Sequence, residues 1–530
     1  MPRAPAKKFP NPTAAEEKFW RGKFSGRKTP PRARKRQIAG RAPEHLRRSP
    51  RRNFIDAAAR KKYWKFMKKL ICPLAILFFA SAAFCGGVSE IVGDVSMPPP
   101  DDISQKFPYG ITAKTPPYLQ KIINKKGRAP YRMNLRIFQG CPTIEVSDGG
   151  RLWAAYFSSN EQIEGGERFS PKDKIFAHQP NETIHAAQFA VVSTSSDGGK
   201  SWKEVFVFDP SKVLNGSSSD PLLWKDADGK IRFTVVRNMD VGDRQIGPTA
   251  TWEFVMLDPE SESTGWSAPR LVCKNNASVM KPAVFPDGSI LRAGDTFSMG
   301  GNPQRAFFIK ESRGGKIEFA SRLIDSKRSD PKTTFAEQSV ILRKDGSLFS
   351  TLRRKWGDPV TGFESRDGGK TWREVGFPLK VSIDTKAVLF RAKSGNLILV
   401  ANDVPIAEMK DGKPVFGEVR GPDGKTFRPG GARYCMTAFI SYDDGKTFPK
   451  KILLDERQTS YPSVCEHNGR FYIAYDHARG GYKKQEILMA KITEADIEAG
   501  KLVSPGSALK MEISSPSKHG GGRRADDNLL

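Results

Sequence analysis

From Lys106 onward, apolar and polar residues alternate in short runs interrupted by Gly, Pro and Asp, and no stretch sustains a helical period. That pattern predicts an all-β chain of short strands and tight turns. One phrase recurs along it: a short apolar strand, a Gly-containing turn and a second strand. It reads CPTIEVSDGGRLWAAY from Cys141, DPLLWKDADGKIRFTVV from Asp220 and KPAVFPDGSILRAG from Lys281. It continues as EQSVILRKDGSLFSTLRR from Glu337, a looser TKAVLFRAKSGNLILVAN from Thr385 and YPSVCEHNGRFYIAYD from Tyr461. The starts lie 79, 61, 56, 48 and 76 residues apart. One hairpin per interval leaves room for two more strands, the four-stranded blade of a β-propeller. Six copies predict a six-bladed β-propeller.

A second signature lies between these hairpins. Ser195–Trp202 (SSDGGKSW), Ser365–Trp372 (SRDGGKTW) and Ser441–Phe448 (SYDDGKTF) share Ser-x-Asp-x-Gly-x-Ser/Thr-aromatic. An Asp side chain can tie back to turn amides, Gly supplies positive φ, and the aromatic ring packs against the sheet. The acidic ligand ladder and closing Glu of a calcium loop are missing, so the turns read as structural staples.

Charge changes the picture at one end only. The whole chain carries a formal +29, but residues 1–66 hold 21 Lys/Arg against 4 Asp/Glu, a net +17, leaving 29 − 17 = +12 for the rest. That surplus suits an acidic ligand as well as a phosphate backbone, and no RNA-binding, zinc-finger or helix-turn-helix pattern accompanies it; no nucleic-acid partner is expected. From Met67, MKKLICPLAILFFASAAFCGG has the basic start, short apolar run and small-residue cleavage choices of a secretory signal peptide. The organisation expected is a basic, Pro-rich leader over 1–66, disordered or not translated; a signal peptide over 67–85; a propeller over 100–505; and a flexible tail over 506–530. The product is then secreted or periplasmic, with a membrane-held signal anchor as the alternative. Beyond the signal, Cys141, Cys273, Cys435 and Cys465 form no Cys-x-x-Cys pair, so neither a zinc site nor a dithiol redox motif is indicated, and buried thiols and disulfides both remain open. No cofactor and no metal are expected.

The three turns resemble the Asp boxes, or BNR repeats, of the sialidase (neuraminidase) superfamily, over roughly Arg136 to Pro505. Phrases such as QGCPTIE, GRLWAAY, ILLDERQTSYP and EILMAKITEADIEAGKLVS resemble a secreted bacterial sialidase-like branch. In a propeller the innermost strands line the axis, so the residues opening the six phrases are expected to form a ring: Cys141, Asp220, Lys281, Glu337, Thr385 and Tyr461. The resemblance implies a Tyr nucleophile assisted by a Glu, here Tyr461 and Glu337. A phenol suits a substrate whose anomeric carbon bears a carboxylate, because it approaches uncharged and an adjacent Glu can take its proton. Arg353, at the end of the strand after Glu337, and Arg433, eight residues before Ser441, match two carboxylate-binding arginines of the family. Asp220 and Lys281 are further substrate-binding candidates. Two departures stand out. The first-blade Arg-Ile-Pro phrase is replaced by Gly140-Cys141-Pro142, with Arg136 four residues too early, and the acid/base Asp has no clean match. The loop before the first Asp box offers Glu161, Glu164, Asp173, Glu182 and His185, with Glu161 and Glu182 as acid/base candidates. The expected function is an exo-glycosidase releasing a terminal sialic acid or related acidic sugar from a glycan. The alternatives are a carbohydrate-binding propeller without turnover and an enzyme for another acidic sugar, such as a uronate.

Overall fold

The computed structural model describes residues 119–121, 133, 136–160, 163–164, 167–168, 189–208, 216–240, 246–274, 280–295, 306–321, 324, 335–354, 358–382, 385–410, 413–421, 424–479 and 485–516. The chain divides into two parts, Met1–Ala75 and Ile76–Leu530, and all described residues belong to the second. The leader and the signal peptide lie outside the described residues.

The described fold is all-β, with one short helix, Glu494–Ala499. The first sheet has five strands: Arg136–Val146, Leu152–Asn160, Phe189–Ser195 and Lys203–Phe208 form a meander, with Leu119–Lys121 added at its outer edge. Three four-stranded sheets follow. Their opening hairpins are Gly216–Lys225 with Ile231–Asp240, Ala283–Val284 with Ile290–Asp295, and Phe335–Leu342 with Leu348–Arg354. The last sheet has seven strands because Lys450–His467 serves twice. Lys450–Gln458 closes a fifth meander against Tyr434–Ser441, and Thr459–His467 opens a sixth against Arg470–His477. Counting that 18-residue strand in both halves gives six antiparallel meanders of four strands, none closed into a barrel. The six recurring phrases are the opening hairpins of these meanders. The last strand, Ala508–Ser514, completes the sixth meander and carries the folded part into the segment expected to be a flexible tail.

The apolar cores sit between meanders. One joins Phe233 and Phe254 of the second to Trp153 and Phe206 of the first. Others link the third to the fourth, the fourth to the fifth and the fifth to the sixth. A further core packs Ile144, Leu152 and Tyr156 of the first meander against Cys465, Ile487 and Met489 of the sixth. Between the second and third, Val272 meets Phe307 and Ile309. Beside it, buried Arg292 pairs with Glu253 and Glu311, each at 2.8 Å. Burial alone would raise the Glu253 carboxyl, yet Arg292, Arg270 and Arg232 outweigh it and hold it at about 2.

The Asp boxes act as staples. Asp367 accepts from the Thr371 amide at 3.0 Å and its hydroxyl at 2.6 Å, while the Ser365 hydroxyl accepts from the Gly369 amide at 2.9 Å. The same contacts recur around Asp197 and Asp443. Gly369 has φ +99, and a Cβ there would lie 3.0 Å from Leu291 of the preceding meander, so both backbone and packing require glycine. Trp372 stacks on Phe308 across the same seam, with ring centroids 4.3 Å apart.

Candidate active site

Four of the six phrase-opening residues share an unusual backbone. Cys141, Asp220, Glu337 and Tyr461 have φ of 48, 47, 51 and 55, the left-handed region that side chains with a Cβ normally avoid. At each, strand pairing skips: between Gly140 and Thr143, Ser219 and Leu222, Ala336 and Ser339, and Ser460 and Ser463. Each is a bulge, which breaks the alternation and re-aims one side chain at the strand end. A left-handed non-glycine residue costs about 1–3 kcal/mol, and four repeats of it in one molecule mark a place where orientation matters more than local stability.

Tyr461 and Glu337 converge on one guanidinium. Arg353 Nη1 donates to Glu337 Oε1 at 2.9 Å and to Tyr461 Oη at 3.2 Å. Glu337 Oε2 is buried and has no hydrogen-bond partner among the described residues. Arg433 places its guanidinium carbon 5.3 Å from the centre of the Tyr461 ring. Tyr461 is 7% exposed. Burial pushes its phenol above the usual range and Glu337 adds to that, while Arg353, Arg433 and Arg479 pull it back. Asp220 belongs to the same electrostatic cluster. Its carboxyl is raised first by burial and then by Glu337, against a hydrogen bond with Cys141 and the attraction of Lys386 and Arg479.

Other residues fall elsewhere. Lys281 does not join Tyr461; its ammonium donates to Ile144 O at 2.7 Å, Glu145 at 2.8 Å and Val464 O at 2.8 Å, bracing three meanders. Its strand has no left-handed bulge to turn the side chain toward the ring. Thr385 is buried. Arg136 is also buried, in a bidentate pair with Glu204 at 2.7 and 2.8 Å. Glu161, Glu182, Asp173 and His185 lie outside the described residues, as does the side chain of Glu164. Cys141, Cys435 and Cys465 are buried free thiols.

Two cations escaped the sequence reading. Lys386, beside Thr385, is buried with its ammonium 5.7 Å from the Tyr461 ring centre. Burial lowers its pKa, opposed by Cys141, Glu337, Asp220 and Asp476. Arg479, in the connection after Arg470–His477, stands 4.4 Å from the same ring centre and pairs with Asp476 at 2.7 Å. Asp476 lies across from Ser460, the residue before Tyr461, as Arg353 lies across from Ala336, the residue before Glu337. That equivalence was the available signal for Asp476, and Arg479 is three residues beyond it.

Residues 221–473 match the BNR repeat-like domain. A search of curated protein sequences returned no match. Among solved structures, the chain is similar to a protein of unknown function from Dyadobacter fermentans, at 16% identity over 70% of this chain and 98% of that one, with a TM-score of 0.47. It is similar to Trypanosoma rangeli sialidase in complex with sialic acid, at 13% identity over 71% and 59%, TM-score 0.45. It is also similar to the Ruminococcus gnavus intramolecular trans-sialidase in complex with oseltamivir carboxylate, at 11% identity over 69% and 96%, TM-score 0.45. The match spans 59% of the length of that Trypanosoma rangeli sialidase chain.

Proposed function

We propose that this chain, whose residues 221–473 match the BNR repeat-like domain, is an exported six-bladed propeller of sialidase type hydrolysing a terminal sialic acid or related acidic sugar with retention. The observation that carries this reading is the single guanidinium nitrogen of Arg353 bridging Glu337 and Tyr461 on left-handed ring positions. The propeller is supported by six meanders whose cores pass from neighbour to neighbour and from the sixth to the first. Export rests on the apolar segment after Met67.

In this mechanism Tyr461 Oη attacks the anomeric carbon and forms a covalent glycosyl–enzyme bond as the bond to the leaving oxygen breaks, that oxygen taking a proton from water. The phenolic proton passes to the Glu337 carboxylate. Water then attacks the anomeric carbon and gives up a proton to solvent, the Tyr461–sugar bond breaks, and the phenolate regains its proton from Glu337; two displacements give net retention. Arg353 and Arg433 hold the substrate carboxylate, and Asp220 hydrogen-bonds the sugar. Because burial disfavours the phenolate, the guanidinium groups serve chemistry as well as binding.

Purified full-length protein is expected to release free sugar from sialoglycans, with the β or α anomer resolved by NMR immediately after release. Tyr461→Phe is expected to lower turnover about a thousandfold or more. Turnover that survives this change removes the mechanism. Glycan binding without turnover in the unaltered protein replaces it with the binding-propeller reading, which the replacement of the first-blade arginine by Gly140 favours.

A further inference from the structure

Gly140, the residue before Cys141, stands where the equivalent positions in three other meanders are Ser219, Ala336 and Ser460, and the space its missing side chain leaves is filled from another meander. A Cβ at Gly140 would lie 2.8 Å from Arg479 Nη1, 3.0 Å from Asp476 Oδ2 and 3.1 Å from Phe138 Cζ. The Arg479 guanidinium therefore occupies the volume that any larger residue at 140 would claim. It is 7% exposed. Nη1 donates to Asp476 Oδ2 at 2.7 Å and to Cys141 Sγ at 3.4 Å. Asp476 is itself fixed by the Cys141 amide at 3.1 Å and by the Ser460 hydroxyl. The guanidinium carbon faces three rings, at 4.4 Å from Tyr461, 5.2 Å from Phe138 and 6.0 Å from Phe157.

We propose that Arg479, admitted by the missing side chain of Gly140, is a positioning residue that fixes the Tyr461 ring and stabilises its phenolate. This deepens the reading of Tyr461 as nucleophile. A guanidinium near a ring face attracts the neutral π-system modestly and the ionised ring far more, because the latter carries a full charge in a largely buried site. Asp476 tempers that attraction while holding the cation in place. The other groups bearing on Tyr461 are Glu337, which opposes ionisation, and Arg353 and Arg433, which favour it. Lys386 faces the ring, with Asp220 and Cys141 completing the cluster. Among the cations, Arg479 is the one a side chain at residue 140 would meet first.

The test needs no substrate. With 3-nitrotyrosine at position 461 of the full chain, the visible absorbance of the nitrophenolate reports ionisation at that residue. Arg479→Gln is expected to raise its apparent pKa by about one unit. Gly140→Ala, which displaces the guanidinium without removing it, is expected to raise it in the same direction by less. Asp476→Asn, which removes the tempering charge, is expected to lower it. An unchanged titration in both Arg479→Gln and Gly140→Ala overturns the proposal, and so does a rise in Asp476→Asn. If Arg479→Gln fails to fold, the opposed signs of the other two variants decide. Absence of sugar release by the unaltered protein bears on the proposed function and leaves this titration standing.

Discussion

Glu337 commits one carboxylate oxygen to Arg353 and leaves Oε2 buried with no hydrogen-bond partner among the described residues. An unsatisfied buried carboxylate oxygen is costly unless something else visits it, and the proposed visitor is the proton leaving Tyr461. Glu337→Gln keeps the size and the acceptor toward Arg353 but removes the base. Turnover is expected to fall about 10²–10⁴-fold with substrate affinity nearly unchanged, measured as kcat against KM. Equal activity in the two proteins would assign the proton to another group. At this scale the repeat phase picked out four residues that share the left-handed backbone, and it failed at Lys281 and Thr385. Glu337 and Tyr461 occupy equivalent positions, and Arg353 lies across from the residue preceding Glu337. Lys281 shares the phase but lacks the left-handed bulge, so its side chain runs to the carbonyls of Ile144 and Val464 instead. Arg479 lies in a connection that no repeat predicts, and Lys386 follows the ring position of the loosest phrase. The glycine at 140 was visible in the sequence as a missing arginine; that another meander's arginine fills its space is a fact of tertiary packing.

The opening hairpins and Asp boxes were readable at the element scale because short apolar alternation and turn chemistry are local. The merged strand Lys450–His467 was not, since the Tyr461-Pro462 bulge inside it has the sequence character of a strand start. The edge strand Ala508–Ser514 has only partly buried positions until Ile513, which leaves little apolar pattern to detect. The boxes also carry a pH signature. Burial works against ionised Asp367, but its bonds to Thr371, Ser365 and Lys370 prevail and hold the carboxyl at about 2, against an ordinary 3.8; Asp197 is likewise held at about 2. A carboxyl depressed on folding stabilises the protein above its unfolded pKa, and that contribution is lost as pH falls from about 4 toward 2. Thermal melts between pH 7 and pH 3 are therefore expected to show Asp367→Asn losing about 1–2 °C at neutral pH, with a shallower decline in acid than the unaltered protein. A decline as steep as the unaltered protein's would place the acid-sensitive groups elsewhere.

For the whole molecule, the decisive contact is the one between its ends. Gln139 of the first meander donates to Ser514 O at 3.0 Å and Gln485 O at 3.3 Å, and Thr143 meets Ser463 at 3.3 Å. With the shared apolar core, these contacts make the sixth meander a neighbour of the first as well as the fifth. A closed ring would have no terminal repeat free to fray, in contrast to an open array whose end units unfold first. Two fully buried isoleucines separate the cases: Ile487 in the seam between sixth and first meanders, and Ile398 in the seam between fifth and sixth. Truncating either to alanine removes comparable apolar volume and is expected to cost about 2–5 kcal/mol. If the ring is closed, both variants shift one cooperative urea transition, followed by tryptophan fluorescence and by far-UV circular dichroism with coincident midpoints. In an open array, where the fifth meander alone holds the sixth, Ile398→Ala would detach that end unit in a separate early transition while Ile487→Ala would not. Tyr461 of the sixth meander packs beside Cys141 of the first and accepts a hydrogen bond from Arg353 of the fourth. Loss of sugar release by Ile398→Ala at urea concentrations below the main unfolding transition is therefore expected only in the open arrangement.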